Sequence, residues 1–257
     1  MNSQIQRIAL FTLVRKEVTR IFRIWTQTLL PSVITISLYY LIFGAFIGGR
    51  IGEFMGVTYM QFIVPGLIML SILTNSFSNV ASTFFSSKFQ KNIEEMLVSP
   101  LSPMSMLLGF ISGGLIRGLV VGFLVTLISL FFVPLKINHP YLLIATVLLT
   151  ALLFSLFGLF NGIYARRFDD IAIIPTFIIT PLTYLGGVFY SIDILPSFWQ
   201  ALSLLNPILY LVNLLRFSFL GMSDINVVLA FIILLLFVLC FFGLCYIMIK
   251  KGMRIKT

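Results

Sequence analysis

Long apolar runs separated by short polar breaks dominate the chain. Residues 26–47 form the first run and end at Gly48-Gly49-Arg50. Further runs cover 57–85, 104–133, 140–164, 171–190 and 225–249. About 20 apolar residues let a helix cross the hydrocarbon core of a bilayer, so the pattern predicts six transmembrane helices. The second run exceeds that minimum and predicts a helix that tilts or projects beyond the membrane. Residues 191–221 are also apolar, but Pro196 and Pro207 interrupt them. Broken helices persist at membrane depth where protein or a water-filled cavity shields their free backbone groups. The segment 191–221 therefore predicts a re-entrant helix pair before the last crossing, with Trp199 and Tyr210 suited to the headgroup boundary.

Residues 1–25 alternate differently. Ile8, Phe11, Val14, Val18, Ile21 and Trp25 recur with helical spacing, while Lys16, Arg20 and Arg23 occupy another side. That pattern predicts an N-terminal amphipathic interfacial helix. It also fits a cytoplasmic extension of the first crossing. The most polar stretch after it is 88–103, followed by 165–170 with Arg166, Arg167, Asp169 and Asp170.

Composition narrows the class. Of 257 residues, 60% are hydrophobic and 10% charged, against about 25% charged in soluble domains. Loops and short ends leave no room for a second domain of about 100 residues. One all-α polytopic membrane domain over 1–257 is the expectation. The net charge of +9 reports topology rather than nucleic-acid binding, because its basic residues sit between apolar runs. With the N-terminus inside, only Arg50, Lys136 and Arg216 of the 17 lysines and arginines fall outside. The inside includes Arg117 and the tail residues Lys250, Lys251, Arg254 and Lys256. The asymmetry predicts cytoplasmic positions for both termini.

Candidate chemistry is sparse. No G-x-x-x-x-G-K-[ST] is present to cradle ATP phosphates, so no enzyme activity is expected of this chain. Cys240 and Cys245 lie inside an apolar run and read as packing residues. His139 sits beside Pro140 in an external turn and reads as a solvated turn residue. No metal cluster and no cofactor of its own are expected. The start lacks the short apolar core and small-residue cleavage site of a signal peptide. Ionisable residues are nearly absent from the apolar runs, whereas ion-coupled carriers commonly need them at membrane depth. Energy is expected to come from a partner protein.

Glycines and hydroxyls supply finer patterns. Gly114, Gly118 and Gly122 recur every four residues, with Gly109 and Gly113 as an offset pair. Such spacing predicts close helix contact inside the protomer. Arg117, beside that face, is expected to snorkel to the cytoplasmic interface rather than bind substrate. Ser71, Asn75, Ser78 and Ser82 step by four, three and four. Thr176, Thr180, Thr183 and Gly187 step by the same intervals. Each set shares one helical face that should turn from lipid toward protein or a cavity. Tyr184, Phe189 and Tyr190 follow, as an outward aromatic gate or as packing.

Several segments together resemble the ABC-2-type permeases, membrane subunits of bacterial ABC exporters, and in particular their YadH-like branch. They are 59–66 (YMQFIVPG), 88–97 (KFQKNIEEML), 168–170 (FDD), 181–190 (PLTYLGGVFY) and 205–208 (LNPI). The family pattern often reads Gly-Thr where this chain has Asn92-Ile93. The resemblance implies a permease dimer, expected to be a homodimer, in the bacterial inner membrane. It also implies two copies of a separate ATPase subunit holding ATP and Mg. Export would run from the cytoplasm or inner leaflet. The polar segment would be a coupling helix on the ATPase, carrying Lys88, Lys91, Ile93, Glu94, Glu95, Met96 and Leu97. In it, Ile93, Met96 and Leu97 share an apolar face and the glutamates offer carboxylates. The two polar stripes would line the translocation path, since similar exporters line it with those helices. A mostly apolar path with scattered hydroxyls suits an amphipathic, lipid- or glycan-like substrate. A non-transporting scaffold or assembly subunit and a secondary carrier are the alternative readings.

Overall fold

The structure, a computed structural model, describes residues 3–54 and 56–254; Lys256, assigned above to the basic tail, lies outside them. The helices are α1 (Ser3–Arg23), α2 (Trp25–Thr28), α3 (Leu30–Tyr39), a π-helical stretch (Tyr40–Gly48) and α4 (Gly49–Ile51). After a two-stranded hairpin, β1 (Glu53–Phe54) with β2 (Val57–Thr58), come α5 (Tyr59–Phe89), α6 (Asn92–Val98), α7 (Pro103–Phe132) and α8 (Pro140–Tyr164). A broken run follows: α9 (Phe168–Ile174), a π turn (Pro175–Ile179) and α10 (Thr180–Tyr184). The chain closes with α11 (Ser197–Ser203), α12 (Pro207–Leu220) and α13 (Val227–Lys251). This is an all-α membrane protein.

Local signals set these boundaries. Thr58 caps α5 by accepting from the Gln61 amide, and the Gln61 side-chain oxygen in turn accepts from the Thr58 amide at 3.0 Å. Ser102 accepts from the Ser105 amide ahead of Pro103, and Asn206 accepts from the Ile208 amide ahead of Pro207. Gly252, with φ at 63°, ends α13.

α5 is the central helix, packed between α7 and α8. A Cβ at Gly114 would lie 2.8 Å from the Ser76 carbonyl oxygen, and Gly118 and Gly122 meet Ser76 and Ile72. Gly158 of α8 lies against the Phe77 backbone on another side of α5. Gly109 and Gly113 face α1 instead, at Leu13 and Glu17. The glycines thus make the close contact inside the protomer that their spacing predicts.

One end of the molecule gathers the polar segments. The Gln6 side chain donates to the Pro100 carbonyl and accepts from the Ser102 amide. Lys88 Nζ donates to the carbonyls of Ile163 and Ala165, both at 2.9 Å. Arg254 stacks over the Tyr164 ring at 4.2 Å. The start of α1 and the end of α13 therefore share this end, hereafter the basic end. At the opposite end the Asn138 and His139 amides reach the Ser218 carbonyl, and Tyr59 OH reaches the Phe189 carbonyl.

Among the described residues, five helical spans are long and apolar enough to cross a membrane. The run Phe168–Tyr184 is shorter, yet it also passes from one end to the other. Phe168 packs on Phe85 and Phe89 at the basic end, and Tyr184 packs on Phe189 at the other. Its helix stops before the expected limit of 190 because Gly187 takes a φ of 69°. The π turn falls at Pro175, which lacks an amide hydrogen, and Thr180 Oγ donates to the Pro175 carbonyl at 2.9 Å. The segment 191–221 is a bent pair: α11 and α12 meet at 87°.

Candidate translocation and coupling sites

A cavity of about 200 Å³ opens between α3, α5 and the broken run. Ser78 reaches it from α5, and Thr180 and Thr183 reach it from α10. Thr74 and Tyr39 line it as well. Neither was singled out in the sequence; Thr74 lies one turn before Ser78, just off the stripe. At the end opposite the basic one Phe189 packs against Phe43 at 5.1 Å and Tyr39 at 6.1 Å between ring centres. Tyr190 donates to the Tyr184 carbonyl at 2.6 Å.

The α5 stripe divides. Ser71 is buried and donates to the Ile68 carbonyl at 2.7 Å. Asn75 turns toward α3 and α7 instead, donating to Ser32 Oγ at 2.9 Å and accepting from Arg117 Nε at 3.1 Å. Ser82 donates to the Ser78 carbonyl at 2.6 Å. On the other stripe Thr176 is exposed, and Gly187 lies in the turn beyond α10. The structure brings Ser78, Thr180 and Thr183 together and leaves Asn75 in a different neighbourhood.

That neighbourhood is a charged network. Arg117 also donates to the Thr28 carbonyl at 2.9 Å. Instead of extending freely as snorkelling would require, its guanidinium is held by Asn75 and Thr28. Arg20 Nη2 donates to Glu17 Oε2 at 3.0 Å and to Asn79 Oδ1 at 2.9 Å. Glu17 is 2% exposed, and a Cβ at Gly113 would lie 2.9 Å from its carboxylate. Burial raises the Glu17 pKa, and Arg20 opposes the shift. Glu17 was not singled out in the sequence either. Its signal is an acidic residue four positions from both Leu13 and Ile21 on the buried face.

A second buried charge lies toward the end opposite the basic one. Arg216, expected outside, is 1% exposed. Its Nη2 donates to the Gly187 carbonyl at 2.6 Å, Nη1 lies 3.6 Å from Asp224, and the guanidinium sits 3.8 Å from the Phe62 ring centre. Glu17 and Arg216 lie outside the six apolar runs, yet both are buried. Both are committed to local partners.

At the basic end α6 follows Lys91, whose φ of 62° turns the chain. Ile93 is buried, and Met96 and Leu97 pack on the core. Lys91, Glu95 and Val98 are exposed, whereas Glu94 is half-buried. Lys88 is occupied by the α8 carbonyls described above. His139 stacks on Phe217 at 4.8 Å, and Cys245 is buried while Cys240 is exposed. No group of three or more metal-ligating side chains occurs among the described residues.

The family model described as ABC-2 type transporter matches residues 8–220. The chain belongs to the ABC-2 type transporter family. It is 52% identical over 250 residues to the inner membrane transport permease YadH of Escherichia coli K12, covering 97% of this chain and 98% of that one. It is 25% identical over 211 residues to nodulation protein J of Rhizobium leguminosarum bv. viciae, covering 79% and 80%. Nodulation protein J of Sinorhizobium fredii is 22% identical over 204 residues. The chain is thus an ABC-2 type transport permease, a multi-pass inner membrane protein. Permeases of this family are non-catalytic subunits that work with an ATP-binding partner.

In this ABC-2 permease the recognised segments converge at two places. Gly66 lets the Val188 backbone approach, its absent Cβ lying 2.8 Å from that carbonyl oxygen. Asn206 donates to the Leu182 carbonyl at 2.6 Å. Three segments therefore meet at the end opposite the basic one. The other two meet at the basic end, where Phe168 packs on Phe85 and Phe89 and Asp170 accepts from the amides of Arg166 and Arg167.

Proposed function

We propose that the chain is the permease of an ATP-driven exporter moving an amphipathic, lipid- or glycan-like substrate across or out of the inner membrane. Its working form is a homodimer with two copies of an ATPase subunit that supplies ATP and Mg. Both termini are cytoplasmic, so the basic end faces the ATPase. The observation that carries this reading is the cleft between α3, α5 and the broken run, where hydroxyls sit on otherwise apolar walls. Ser78, Thr180 and Thr183 form the middle of the path. Ser82 and Thr176 extend it toward the basic end, because the two helices run antiparallel. Ser71 and Asn75 support its wall, and the turn at Gly187 ends it. The rings of Tyr184 and Phe189 close it outward.

Coupling falls to α6. Ile93, Met96 and Leu97 hold the helix on the permease, and Lys88 anchors its root to α8. Lys91 and Glu95 present charge outward, with Glu94 between the two faces. The test is co-purification with a separately encoded ABC ATPase subunit, followed by a screen for substrate-stimulated hydrolysis and transport. Replacing Glu94 and Glu95 with alanine should weaken both association and transport. Normal values for both would remove the coupling assignment.

A further inference from the structure

Helix α1 presents three sides. Leu13, Glu17 and Ile21 are buried, the first two against α7. Ile8 and Phe11 are each 67% exposed, and Phe22 and Trp25 about half exposed, on a second side. The third side forms a concavity of about 460 Å³ lined by Thr12, Arg15, Lys16, Thr19, Arg20 and Arg23. The single acidic residue of the helix, Glu17, points away from it. Arg15, Lys16 and Arg23 therefore share a surface lined by no acidic side chain, beside Arg20, which pairs with Glu17, and exposed apolar side chains flank them.

We infer that this side of α1 binds the phosphate headgroup of an anionic phospholipid from the leaflet at the basic end. Two observations select a lipid. The cations and hydroxyls offer donors to phosphate oxygens. The apolar side lies within one helix diameter, about 10–12 Å, so the acyl chains of the same molecule have a surface to cover. A soluble phosphate would leave Phe11, Phe22 and Trp25 unexplained. Arg20 links the site to the protein interior: it lines the concavity while Glu17 and Asn79 hold its guanidinium. Occupancy of the site thus bears on the second crossing.

Trp25 reports the site. The chain has two tryptophans, and Trp199 lies on α11 in the re-entrant pair, so Trp199→Phe isolates the signal. The full-length variant is placed in phosphatidylcholine vesicles containing either brominated phosphatidylglycerol or brominated phosphatidylcholine. The anionic lipid should quench Trp25 at a mole fraction about fivefold lower, the ratio expected when one basic side chain meets an anionic surface. Arg15→Gln, Lys16→Gln and Arg23→Gln together should erase the preference, whereas Arg15→Lys with Arg23→Lys should keep it. The lysine variant separates loss of charge from loss of fold. Equal quenching by the two lipids overturns the inference, as does a preference that survives the triple change. Competition by millimolar inorganic phosphate would make the ligand a soluble anion. Loss of the preference once the ATPase binds would make this side a protein-docking face. Either result also overturns the inference.

Discussion

Helices α5 and α13 invert the intuition brought from soluble proteins. Of the long spans, α13 is the most apolar and α5 the least. Yet 83% of the apolar stretch of α5 is buried inside the protein, against 17% for α13. In water the more apolar helix would take the centre. In lipid an apolar side chain gains little by leaving acyl chains for protein, so association rests on close packing and polar contacts. A hydroxyl or amide facing hydrocarbon lacks a partner, which draws the helix bearing Ser71, Asn75, Ser76 and Asn79 inward. Glycines of α7 and α8 then let its backbone neighbours approach.

The largest expected effect comes from filling that contact. Gly118→Leu or Gly158→Leu should cost about 3 kcal/mol or more by overpacking. The monodisperse fraction in detergent should collapse. Gly243→Leu on α13 has open space around its Cβ position and should leave that fraction unchanged. Equal behaviour of the two helices would break the comparison.

A smaller loss is expected at the charged edge of the centre. Glu17→Leu removes one acceptor of Arg20, which keeps Asn79, so the cost should be on the order of 1–2 kcal/mol, allowing for partial exposure of Arg20. A thermal melt reads it. Because burial raises the Glu17 pKa above its ordinary value of 4.5, the folded state retains the proton to higher pH than the unfolded chain. That contribution is complete below the unfolded pKa and declines as pH rises through the folded value. Wild type should therefore lose stability relative to Glu17→Gln between roughly pH 4.5 and the raised folded pKa. A pH-independent difference would remove the carboxyl from the explanation.

The two stripes should separate in function. Thr180→Leu on the cleft wall should reduce transport about fivefold, the scale of one contact of about 1 kcal/mol, with an unchanged melting temperature. Asn75→Leu should reduce transport and also lower the melting temperature, because it strips Arg117 of an acceptor. Transport assays with paired melts distinguish them; identical signatures would reunite the stripes. The smallest effect should be Leu236→Ala on the lipid-facing side of α13, within about 0.5 kcal/mol by the same melt.

Much of the architecture was legible in the chain itself. Run length marked the spans, and 140–164 coincides with α8, because the bilayer demands a fixed apolar length. The paired prolines announced the bent helices near Trp199. Glycine spacing announced a close contact, since two helices approach only where side chains are absent. The family was legible through segments whose order is distinctive. Residue spacing could not say which neighbour each helical face meets. Ser71, Asn75, Ser78 and Ser82 lie within one broad stripe, yet a modest rotation sends Asn75 to Arg117 and Ser78 to the cleft. Glu17 stood out in no pattern, and Arg216 read as an external charge, until folding gave each a partner. Hydrophobic periodicity records that a face avoids lipid or water; tertiary packing alone chooses the partner, because hydrogen bonds are short-ranged and directional.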